Sequence, residues 1–351
     1  MRLLRRLVIG LVIVLAAVGG WYVWLMNAAG QFKTLTPHFD GSCRPVAGVV
    51  GAEDLTIHPR TGIVYLSSCD RRAAIAGGPA HGALFAYDLH APDAHPVNLT
   101  PDAGPDFCPH GLSLFVAPDG ASTLFAIVHT RGRHTIEVYD ASPTALVHRT
   151  TLSDPLLVSP NDLLAVSPTE LYVTNDHRYA AGFLRSVEDY TRRPWANVVH
   201  WDGRHFREAA GGIRLANGIN MSADGKTVYV AATIGQAIRE YDREPASGAL
   251  RFRDEIPVGS GVDNIEMDAD GSLWIGAHPQ LLTLVGYMGG RTARAPSQIL
   301  HVTPAASGAR VEEAYLDLGE QLSAASVGAV HDRHLVIGPI ADDKFLDCTR
   351  R

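Results

Sequence analysis

Six short segments of the chain open with side chains that could gather around an ion: Glu53-Asp54, His110, Asn161-Asp162, Asn217, Asp263-Asn264 and Ser326. Carboxylate and amide oxygens dominate this set, with one imidazole and no thiol. Such donors suit a hard cation. Calcium accepts six to eight oxygens in an irregular cage, whereas zinc favours His or Cys and magnesium a tighter octahedron. Glu53 and Asp263 supply negative charge, and Asn161, Asn217 and Asn264 supply neutral oxygens, leaving room for water or a substrate. Neighbours on a strand point to opposite sides. Asp54 and Asp162 should therefore face away from Glu53 and Asn161, towards a second, buried calcium shared with backbone carbonyls near Leu112. Taken singly, each Asp or Asn could equally cap a turn.

These residues head six copies of one pattern: a polar residue, an apolar-rich strand, a turn often of Pro or Asp-Gly type, and a second strand. The second strands start near Val64, Leu124, Leu171, Val228, Leu273 and Leu335. Units of this size, built of short strands and turns, read as blades of a six-bladed β-propeller. The expected class is all-β, with the first strand of each blade lining a central channel. Further strands are expected at 84–88, 135–140, 197–202 and 237–242, each alternating with period two and ending in Asp. Long helices between strands are scarce, which excludes a two-domain α/β enzyme. Residues 179–195 are the best candidate for a helix or flap.

Ahead of the repeats, Arg2, Arg5 and Arg6 precede an apolar run from Leu7 to Leu25, with Trp21, Tyr22 and Trp24 at its far end. A helix of this length spans the hydrocarbon of a bilayer, and flanking arginines remain cytoplasmic. Residues 1–26 are expected to anchor a single domain, 27–351, in the periplasm or extracellular space. Signal cleavage near Ala28-Ala29-Gly30, giving a secreted protein, is the alternative. The chain of 351 residues has a net charge of −7 and no basic block, which argues against nucleic acid as a partner. Four cysteines suit an oxidising compartment. Cys43 and Cys348 could tie the ends of the fold together; Cys69 and Cys108 could form a second bridge or remain buried thiols.

The motifs Glu53-Asp54-Leu55, Phe107-Cys108-Pro109-His110-Gly111, Pro160-Asn161-Asp162, Thr174-Asn175-Asp176-His177, Ala216-Asn217-Gly218-Ile219-Asn220, Asp263-Asn264-Ile265 and Gly276-Ala277-His278-Pro279 resemble, in order, those of the paraoxonase/arylesterase family. The similarity runs from about Cys43 to Cys348. It implies a calcium-dependent esterase and lactonase. It assigns Glu53, Asn161, Asn217, Asp263 and Asn264 to a catalytic calcium, and Asp54, Asp162 and the Leu112 carbonyl to a structural one. It also matches His110 and His129 to the family's histidine pair and Cys43–Cys348 to its disulfide. The sequence departs from the family at Ala277, where a free cysteine is usual, and in the composition of the 179–195 segment. The expected chemistry is attack of water on a calcium-polarised carbonyl, with His110 as base and His129 orienting it; Glu53 or Asp263 could be the base instead. His177 and His278 are expected around the ligands, and Ser326 along the channel wall. No Gly-x-Ser-x-Gly elbow is present. A sugar-lactone hydrolase, a phosphotriesterase, and a non-catalytic binding propeller are the competing readings.

Overall fold

The computed structural model describes residues 1–130, 133–305 and 308–351. Six antiparallel sheets are arranged around a central channel. The innermost strands are Leu55–Ile57, Cys108–Val116, Pro160–Ser167, Ala216–Met221, Gly261–Met267 and Ala325–His331. Each pairs with the second strand expected from the repeat. The third strands near 84, 135, 197 and 237 are also present, and two more lie at Ser297–Ala305 and Lys344–Arg350. Val, Ile, Leu and Tyr recur in the second strands. Blades pack face to face, so these strands are covered on both sides and read as continuous apolar runs such as Thr227–Ala232.

The sixth blade is completed from the other end of the chain. Gly41–Ala47 pairs antiparallel with Lys344–Arg350 as its outermost strand. Cys43 lies directly opposite Cys348 in that register, and the two form a disulfide. The fifth blade gains an extra edge strand, His38–Phe39.

Among the described residues there are four helices, the first ahead of all the strands. Helix α1, Arg2–Ala28, is long and apolar enough to cross a membrane and is exposed except in its last turn, where Leu25, Met26 and Ala28 are half-buried. It ends two residues beyond the expected boundary at 26, and Ala29 and Gly30 are already buried. Helix α2, Arg71–Ile75, is capped by the Asp70 carboxylate, which accepts from the Ala73 N–H. Helix α3, Phe183–Tyr190, lies within the expected flap segment. Helix α4, Leu281–Met288, was not expected; it follows Pro279, which ends the preceding strand.

Candidate active site at the channel mouth

The heads of the inner strands converge. Glu53, His110, Asn161, Asn217 and Asp263 line one cavity of about 420 Å³. Their convergence depends on a local irregularity that the alternation rule does not anticipate. Strand register shifts between Pro109 and Leu112, Pro160 and Leu163, Ala216 and Ile219, Val262 and Ile265, and Ala325 and Val327. Five of the six inner strands thus bulge where a channel residue sits. A bulge adds a residue and re-aims side chains. Gly111 and Gly218 sit within two of these bulges. A Cβ at Gly111 would lie 2.6 Å from the Asn161 carbonyl oxygen, and one at Gly218 2.4 Å from that of Asp263. Only glycine lets neighbouring strands approach this closely.

The channel concentrates buried acid. Asn264 donates from Nδ2 to the Glu53 carbonyl oxygen (2.9 Å) and to Glu53 Oε1 (3.1 Å). His278 Nε2 lies 2.7 Å from Asp263 Oδ2. Burial pushes Glu53 up, but His110 at 3.2 Å and Arg71 at 3.4 Å overcome it and hold the carboxyl near 2. Burial raises the Asp263 carboxyl, against the opposing pull of His278. Deeper in the channel, Asp54 accepts from the Leu112 N–H (2.6 Å) and the Leu55 N–H (2.9 Å). Asp162 does the same with Ile219 (2.8 Å) and Leu163 (2.7 Å). Burial and the mutual repulsion of Asp54, Asp162 and Glu53 push Asp54 well up; burial above all does the same to Asp162. Glu266, two residues beyond Asn264, joins this acidic column, and burial followed by Asp54 raises it too.

Three amide oxygens in the channel lack partners. Oδ1 of Asn161, Asn217 and Asn264 are buried with no hydrogen bond. An unpaired buried acceptor costs about 1–3 kcal/mol. Three of them beside Glu53 and Asp263 form an all-oxygen donor set of the kind that fits a calcium ion. A cation there would also relieve the repulsion among the buried carboxylates.

His110, which lines this cavity, is joined to a second histidine behind it. His110 Nδ1 is 2.9 Å from His129 Nε2. Burial, then His110 and His134, hold His129 well below the usual imidazole range. His177 is placed differently. It bridges Asp176 and Asp189 at 2.7 Å each, so α3 is tied to the cavity rim. Burial opposes its protonation, but the two carboxylates prevail and raise it to about 9. Ser326 donates to the Glu53 carbonyl oxygen at 2.6 Å and belongs to the channel wall.

Arg71 was not singled out by sequence. It is half-enclosed at the cavity floor, bonded to the carbonyls of Gly51 (3.0 Å) and Pro109 (3.1 Å). Its proximity to Cys69 in sequence was the available signal, because a Cys69–Cys108 disulfide pulls α2 towards the strand that carries His110. The mouth is apolar. Leu281, Leu284 and Val285 of α4 face Leu25 and Ala28 of α1 across it. The end of α1 is fastened there: Gln236 Nε2 donates to the Ala28 carbonyl at 2.8 Å, and the Leu281 N–H to that of Ala29 at 3.0 Å.

Comparison with known proteins agrees with this architecture. The arylesterase family model matches residues 43–349. Serum paraoxonase/arylesterase 1 of Rattus norvegicus is 33% identical, over 88% of this chain and 89% of that protein. Serum paraoxonase/arylesterase 2 of the same species is 31% identical, over 85% and 86%. A solved gluconolactonase from Xanthomonas campestris shares the fold, with a TM-score of 0.55 at 14% identity over 91% of this chain and 99% of that one.

Proposed function

The chain belongs to the arylesterase family, and from that premise we propose that it is a calcium-dependent hydrolase of lactones and aryl esters working at the channel mouth. The observation that carries the calcium reading is the trio of unpartnered oxygens on Asn161, Asn217 and Asn264 beside Glu53 and Asp263. These five residues hold the catalytic ion in this reading, and Asp54, Asp162 and the Leu112 carbonyl hold a second, structural one. The catalytic ion supplies polarisation of the carbonyl and offsets the charge that develops on its oxygen.

The chain's own residues do the rest. His110 borders the cavity and takes a proton from the attacking water. His129, kept neutral by its burial, meets His110 at Nδ1 and fixes the ring so that Nε2 faces the cavity. Glu53 is the weaker alternative base, because its carboxylate is assigned to the ion and is already paired with Arg71. His177, protonated up to about pH 9, cannot accept the proton and serves to hold α3 in place. The apolar rim of Leu25, Leu281, Leu284 and Val285 suits an acyl or aryl group, which favours alkyl lactones and aryl esters over sugar lactones. Helix α1 anchors this rim at a membrane, with the propeller on the periplasmic or extracellular side.

Hydrolysis of γ- and δ-lactones with graded acyl chains, before and after chelation, tests the proposal. Activity lost on chelation and restored by calcium is expected. Undiminished turnover after complete removal of the ion would overturn it. A binding-only propeller would show no turnover that His110→Gln and His129→Gln could remove.

A further inference from the structure

The histidine contact does not stop at His129. We propose that His134 extends the pair into a three-membered chain that carries the proton released by hydrolysis out through the second blade, into a separate cavity away from the substrate. This rests on the reading of His110 as the base.

Three observations support it. His129 Nδ1 lies 2.7 Å from His134 Nδ1, a contact as close as the 2.9 Å between His110 and His129. The ladder enforces this alignment: Cys108 is directly opposite His129, and His129 directly opposite His134, on three successive strands. The two ends open onto different spaces. His110 lines the substrate cavity, whereas His129 and His134 line a second cavity of about 420 Å³ with Asp106, Cys108 and Thr130. His134 is only partly buried. Burial lowers its proton affinity, with Asp176 opposing.

The proton balance is simple. Water gives a proton to His110 Nε2 as its oxygen bonds to the carbonyl carbon; the acyl C–O bond then breaks, and the leaving alkoxide takes the remaining proton of the new acid, so that a carboxylate, an alcohol and one proton for export result. The proton on the His110–His129 contact moves to His129, the one on the His129–His134 contact moves to His134, and His134 Nε2 gives one to water or buffer in the rear cavity. Reorientation of the rings or return of a proton in the resting state resets the chain. Each ring accepts one proton and releases one. The benefit is geometric. The products fill the apolar front mouth while the proton taken from water must leave, and a rear exit separates the two events.

His134→Ala and His134→Asn in the full-length, calcium-loaded protein test this on a δ-lactone. Asn keeps an acceptor near the position of Nδ1 but carries no proton onward. Both variants should lose about tenfold in kcat, well short of a whole general base, with KM unchanged. Added imidazole, which fits the rear cavity, should restore most of the loss. The relay is overturned if His134→Asn turns over like wild type, or if both variants are slow and insensitive to imidazole and buffer concentration. If His110→Gln is itself harmless, the assignment of the base fails and the relay with it. If His110→Gln is inactive while His134→Asn is normal, only the relay fails.

Discussion

Single side chains decide whether the channel can hold the proposed ion. Asn161 and Asn217 contribute nothing else visible to the fold through Oδ1, because neither atom has a hydrogen-bond partner. Replacing Asn217 with Ala should therefore weaken calcium binding by at least tenfold, by titration calorimetry, while leaving the melting temperature of the chelated protein within a few degrees of the parent. A large drop in the chelated protein as well would mean the amide serves packing instead. His110→Gln should lower kcat for a lactone by about 10²–10⁴-fold, with the calcium titration unchanged. The sequence made this set of residues legible because the repeat aligned them in register. Arg71 and Glu266 escaped notice because their partners come from distant parts of the chain, and nothing in the local order of residues records a distance across the channel; His134, five positions from His129, was missed because its place opposite that residue depends on strand register.

Elements rather than residues shape access to the site. Helix α3 is held to the rim through His177, between Asp176 and Asp189. The imidazole is raised from 6.5 to about 9 in the fold. A group raised on folding contributes fully below its unfolded value and loses that contribution as pH climbs through the folded one. The lid attachment should thus be firm below about pH 6.5 and released through about pH 9. Hydrogen exchange of residues 183–190 should accelerate across that interval, and His177→Gln should abolish the step. The Cys69–Cys108 bridge acts on the opposite wall, where it joins the base of α2 to the strand of His110. Inner and second strands were readable from apolar periodicity. The bulges at the channel were not, since a register shift leaves the order of apolar residues unchanged. Helix α4 was missed because Leu281–Met288 is apolar almost throughout and so shows no polar face to mark a helical stripe.

At the scale of the molecule, the ring is closed by pairing its first propeller strand with its last. The Cys43–Cys348 bridge spans 305 residues. Loop-closure entropy alone gives on the order of 5 kcal/mol for such a crosslink, an upper bound since strain and residual structure reduce it. The Cys43→Ser, Cys348→Ser double variant should melt several degrees lower, with the loss growing in denaturant. Calorimetry that finds the two proteins equally stable would show that backbone pairing closes the ring unaided.

That closure also sets a timetable for biosynthesis. Strand Gly41–Ala47 leaves the ribosome some 300 residues before its partner Lys344–Arg350 exists. At roughly 5–20 residues per second the wait lasts about 15–60 s. During translation the newborn polypeptide carries a bare sheet edge that no local partner can cover. Its early segment therefore needs shelter, by chaperones or by tethering, until Lys344–Arg350 has emerged, and any product that lacks this strand would keep that edge exposed and be prone to aggregate.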